Sequence, residues 1–119
     1  MPITPILIVL TGIVVGVAAA FTGLGGGFLM VPILLYLGFT AQKAVGTSFL
    51  GILIISASAL FAHNKLAHVD YKYGILLGLG GFLGAQLGAR LVENVDTASF
   101  KRIFAAVLVA LAIYLFVKE

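Results

Sequence analysis

The sequence predicts an all-α integral membrane protein with four long transmembrane helices and one short helix that follows a glycine-rich break. Three observations carry this. The 119-residue chain is 62% hydrophobic and only 9% charged, with a mean hydropathy of +1.24, whereas soluble domains carry about 25% charged residues. Its apolar runs lack the polar face that a soluble four-helix bundle needs. Finally, Gly23, Gly25, Gly26 and Gly27 interrupt the apolar material, and Pro32 follows; each glycine costs a helix roughly 1 kcal/mol relative to alanine.

The first apolar segment covers residues 3–21. At 1.5 Å per residue it is long enough for a hydrocarbon core of about 30 Å. No Lys or Arg precedes it and it is long for a signal-peptide core, so cleavage after the small residues Ala18, Ala19 and Ala20 is not expected. The glycine break comes next, then a short segment, residues 28–37, that covers about half the bilayer. Irregular backbone survives in lipid only when it is buried in protein or lines a wet cavity. The break is therefore expected to face the interior, as a re-entrant or discontinuous hairpin. Three further long segments cover residues 44–62, 71–91 and 98–117. The length suits a single transmembrane domain, residues 1–119.

The fourth long segment reads differently from the break. Gly74 and Gly78 are four apart, as are Gly80, Gly84 and Gly88. Such rows let neighbouring helices approach closely, so packing is expected there. Gln86, the one amide deep in an apolar run, is expected to face the bundle interior and find a partner.

The charges give no clear orientation. If the last three segments each cross once, Lys65, Lys72 and Lys118 lie on one side, and Lys43, Arg90, Lys101 and Arg102 on the other. The positive-inside rule needs a stronger bias than three against four. A fixed orientation set by local effects is the simpler expectation. Dual topology, with an antiparallel homodimer, is the alternative.

Several chemistries are excluded. There is no cysteine, so disulfides and thiolate metal sites are absent. The net charge of +3 mostly reports loop lysines and does not imply nucleic-acid binding. The glycine stretch has Phe28 where a dinucleotide fingerprint needs its third glycine, and it has no P-loop lysine. No carboxylate lies in the middle of a long segment, which argues against a membrane enzyme and against a cation carrier. His63 and His68 are five apart, a spacing that does not align them on one helix face. With no third ligand, a metal site is not expected, and no cofactor is. The 62–74 loop reads as polar interfacial chain in which Asp70 could cap the next helix and the histidines could serve a gate or proton-linked role.

The remaining chemistry points to an anion. A glycine break exposes backbone N–H groups at the start of the short helix, where the dipole adds partial positive charge. Transporters build midplane sites from such discontinuous helices. Gly46, Thr47 and Ser48 open the next helix on this reading, and their hydroxyls could cap N–H groups or bind an oxyanion. Two helix N-termini would then converge on one anion. Ser56 and Ser58 are expected to bond back to the preceding turn.

The stretches "GLGGGFLMVPILLYLG", "AVGTSF", "HVDY" and "GAQLGARL" together resemble the sulfite exporter TauE/SafE family, also called the toluenesulfonate uptake permeases. The order and spacing match over nearly the whole chain. Members are usually about twice this long and built from two related halves, so this chain looks like one repeat. The resemblance implies transport of sulfur-containing oxyanions such as sulfite or organosulfonates, or of related organic anions. By the same resemblance Gly23, Gly25, Gly26, Gly27, Gly46, Thr47 and Ser48 would line the substrate path. A homodimer, which could be antiparallel, would complete a site that lies between two halves. The expected setting is the inner membrane of a prokaryotic cell, with a small anion and the lipid bilayer as partners. Two alternatives stand beside this transporter: a passive anion channel with the same lining, and a half-transporter subunit that needs a partner chain.

Overall fold

A computed structural model describes residues 5–118. Five helices follow in order: α1 Pro5–Thr22, α2 Gly27–Tyr36, α3 Ala41–Lys65, α4 Tyr71–Glu93 and α5 Thr97–Lys118. All but α2 are long and apolar enough to cross a membrane. The expected all-α plan of four long helices and a short one is therefore what the chain adopts. The expected start of the first segment, residues 3 and 4, lies outside the described residues.

Each helix end has a local cause. Thr40 caps α3 by accepting the Lys43 N–H at 3.3 Å. Asp70 caps α4 by accepting the Tyr73 N–H at 3.1 Å, as the sequence suggested. Asp96 caps the start of α5 by accepting the Ser99 N–H at 3.1 Å. The Ser99 hydroxyl and N–H hold the Asp96 carboxyl below its ordinary pKa of 3.8. Inside α2, Pro32 removes the N–H that would bond the Phe28 carbonyl.

The C-terminal ends of α2 and α3 share one motif. In α2 the Phe39 N–H bonds the Leu34 carbonyl and the Gly38 N–H bonds the Leu35 carbonyl, with Gly38 at φ +100°. In α3 the His68 N–H bonds the His63 carbonyl and the Ala67 N–H bonds the Asn64 carbonyl. Both are Schellman turns, whose left-handed residue is usually glycine. In α3 that residue is Ala67, at φ +60°, the one non-glycine with positive φ among the described residues.

The core lies where α1, α2 and α3 meet. Val15, Ala19, Gly26, Val31, Ala41, Ala44 and Ser48 are buried there. α2 runs back along α3 from its middle to its start: Gly27 approaches Ile52, Met30 reaches Gly51, and Leu37 and Thr47 share a cavity wall. α4 and α5 each lean on α3 and contribute no buried residue. Their outward leucines, such as Leu77, Leu83 and Leu115, are exposed. This suits a surface bathed in acyl chains.

One amide ties the two parts together. The Gln42 Nε2 donates to the carbonyls of Val92 at 2.9 Å and Val95 at 2.6 Å. The Thr97 Oγ1 accepts the Ala41 N–H at 3.0 Å. The start of α3 is thus latched to the α4–α5 turn. Gln42→Leu leaves those carbonyls without their donor and lowers stability by about 1–3 kcal/mol. An unchanged thermal midpoint of the detergent-solubilised variant would show the latch to be dispensable.

Candidate functional site

The glycine break is built by four short-range decisions. The Thr22 Oγ1 donates to the Ala18 carbonyl at 2.8 Å and accepts the Leu24 N–H at 3.3 Å, which ends α1. The Gly23 N–H bonds the Ala19 carbonyl at 2.7 Å, with Gly23 at φ +78°. Gly25 and Gly26 continue in the left-handed region at φ +81° and +88°. Gly26 is the N-cap of α2, and no side chain caps that end. Its own carbonyl accepts the Met30 N–H at 2.8 Å and begins the helix.

Packing fixes the depth of the break. A Cβ on Gly26 would lie 3.2 Å from Val15 Cγ1, 3.3 Å from Met30 Cε and 3.5 Å from Ala19 Cβ. Gly25 and Gly27 face Ile52. Ile52 lies close to the middle of α3, Ala41–Lys65. If α3 crosses the bilayer, the uncapped start of α2 sits well inside the hydrocarbon thickness. At ten residues α2 would then cover about half of the return crossing.

A cavity of ≈ 240 Å³ opens beside the break. Ala19, Ala20, Gly23 and Gly25 form one wall, and Ser56 and His63 of α3 the other. Among the described residues, no Asp, Glu, Lys or Arg lines it. His63 Nε2 lies 3.0 Å from the Ala20 carbonyl, and His63 Nδ1 lies 3.0 Å from His68 Nδ1.

The predicted residues divide into two groups. Gly23, Gly25, Gly26 and Gly27 stay together around the break. Gly46, Thr47 and Ser48 do not open α3, because Thr40 caps it earlier; they sit in its second turn. The second helix N-terminus expected near Gly46 is therefore at Thr40. Ser48 is buried and donates to the Val45 carbonyl at 2.7 Å. Thr47 lines a second cavity, of ≈ 560 Å³, between α1, α2 and α3. Gly46 lines a third, of ≈ 650 Å³, where Gln42 and Gln86 also meet. Gln86 thus reaches the cleft between α3, α4 and α5.

Ser56 and His63 were not among the predicted site residues. The signal was present: Ile52, Ser56, Ala59 and His63 follow the 4-3-4 spacing of one helix face. The five-residue spacing of the histidines also misled. It separates them on a continuous helix, but the Schellman turn at Ala67 folds His68 back over His63, with ring centroids 5.2 Å apart.

A half-length helix begun at a glycine break that lines a cavity belongs to the architecture of membrane transport proteins. The chain matches the sulfite exporter TauE/SafE family over residues 3–119, and it belongs to that family of membrane transporters. It is 34% identical over 116 residues to a probable membrane transporter protein of Methanocaldococcus jannaschii, covering 92% of this chain and 43% of the relative. It is 31% identical over 121 residues to the probable membrane transporter protein YunE of Bacillus subtilis, covering 95% and 44%. A probable membrane transporter protein of Haemophilus influenzae is 36% identical over 120 residues, covering 98% and 44%. The chain spans less than half the length of these curated relatives. No solved structure matches it.

Proposed function

We propose that the chain transports small anions, namely sulfur-containing oxyanions such as sulfite or organosulfonates, or related organic anions, and works as a homodimer in the inner membrane of a prokaryotic cell. The observation that carries this reading is the uncapped α2 N-terminus beside a cavity without fixed charge. Backbone N–H groups and the helix dipole attract an anion without a counter-charge. In this proposal Gly23 and Gly25, which line the cavity, touch the anion, and Gly26 and Gly27 hold the start of α2 beside it. Gly46, Thr47 and Ser48 belong to the route along α3 away from the break.

The homodimer is supported by what α4 leaves open. A Cβ at Gly74, Gly78, Gly80, Gly84 or Gly88 would meet nothing within 4 Å. Among the described residues the glycine rows therefore have no helix to pack on, and a second copy would supply one.

The test is uptake of labelled sulfite into liposomes holding the purified chain, with sulfate, thiosulfate and an organosulfonate as competitors. Saturable, competed uptake is expected. Absence of flux from folded, oligomeric protein, with flux restored by a co-expressed second chain, would replace the homodimer by the two-chain transporter.

A further inference from the structure

The His63–His68 pair has a defined protonation logic. The Ala20 carbonyl can only accept, so His63 Nε2, 3.0 Å away, must donate. Neutral His63 then presents an Nδ1 lone pair. His68 Nδ1, 3.0 Å from it, must carry the hydrogen. The chain places them so by a device that is not free. Ala67 takes the left-handed conformation usually left to glycine, and the contact that closes a Schellman turn, normally between two apolar side chains, is here between two imidazoles.

Such a pair can hold one extra proton with its contact intact and a second only by coming apart. His68 is exposed, and its Nε2 can take a proton from water. The resulting imidazolium still donates through Nδ1, and the N–H···N bond becomes charge-assisted. A second proton would occupy His63 Nδ1 and set two N–H groups against each other. α1 brings no titratable group. On α3 and the turn after it the other charged groups are Lys43, at the opposite end of the helix, Lys65, held over the Phe61 ring at 4.7 Å, and Asp70, which caps α4. α4 brings Lys72, Tyr73 and Tyr71, whose hydroxyl donates to Asn64, in its first turn, and Arg90 and Glu93 at its far end. His63 alone of these titratable groups lines the cavity at the break.

We infer that the His63–His68 pair is a proton-coupling site: an anion entering the break cavity is bound together with one proton shared between the two rings. The inference rests on the anion-transport reading. It assigns the coupling ion and the residues that carry it.

The probe is methanesulfonate, which stays a monoanion throughout the working pH range, whereas sulfite titrates itself. Binding to the purified full-length chain is followed by calorimetry in buffers of different ionisation enthalpy. Wild type is expected to take up close to one proton per anion on the alkaline side of the pair's titration. Its affinity there falls about tenfold per pH unit. His63→Gln keeps a donor for the Ala20 carbonyl and should bind with little pH dependence, because His68 does not line the cavity. Nitrogen NMR of labelled histidine should show the Nε2–H form of neutral His63 and a coupling across the Nδ1···Nδ1 bond. Binding without proton uptake, or pH dependence that survives in His63→Gln, overturns the inference and leaves anion transport standing. Failure of methanesulfonate, sulfite and thiosulfate to bind at all removes both.

Discussion

Gly26→Leu abolishes anion uptake. Gly26 sits at φ +88°, where a side chain costs about 1–2 kcal/mol. It is also enclosed, so the new Cβ meets Val15, Met30 and Ala19 at 3.2–3.5 Å. Overpacking of this kind costs about 1–3 kcal/mol more. Relief requires the start of α2 to move away from α1, which displaces the glycine break whose Gly23 and Gly25 line the cavity. Uptake in liposomes should fall below about 1% of wild type, since an ångström of misplacement alone can cost about a hundredfold. A companion variant separates folding from function. A Cβ on Gly25 has only Ile52 near it, at 3.7 Å. Gly25→Phe carries the same left-handed strain at φ +81°, about 1–2 kcal/mol, but not the overpacking; it should lose less stability than Gly26→Leu, remain monodisperse, and block uptake as its ring fills the cavity. Full uptake in both variants would remove the break from the substrate path.

Mixing wild-type and Gly25→Phe chains in equal amounts leaves about one quarter of wild-type uptake. Random pairing of two chains gives one quarter wild-type homodimers, and a path shared between two copies fails when either is blocked. Independent chains would keep half. An outcome near half sinks the shared path even if the chains do associate. The cysteine-free sequence allows the interface to be located as well. A single cysteine at Gly84, on the open row of α4, should cross-link copies where the glycines meet a partner.

Most of the fold was legible because each long helix announces itself by hydropathy and length. The boundary that was misplaced, the start of α3, shows the weakness of that signal. Gln42 and Lys43 are polar, so an apolar reading begins the helix after them. The helix begins at Ala41 because Thr40 caps it, and because Gln42 spends its amide on the α4–α5 turn. That three-residue shift moves Thr47 and Ser48 from a helix end into a helix interior. The break itself was readable, since consecutive glycines in apolar chain have few other uses. Its opposite wall was not. Ser56 and His63 become neighbours of Gly23 only through the crossing of α1 and α3. His68 reaches His63 only because Ala67 accepts a left-handed conformation, which alanine does not advertise.

The absence of a fixed charge at the break also has an electrical meaning. A monoanion held there by amide groups alone keeps its whole charge as it moves. A membrane potential acts on that charge with about 2.3 kcal/mol per 100 mV. With the cell interior negative, the loaded form is driven outward, and export of an unpaired anion needs no other source of energy. A proton on the histidine pair cancels that force for a monoanion and leaves half of it for a dianion. The same cavity would then carry a sulfonate silently and a divalent oxyanion with a measurable current.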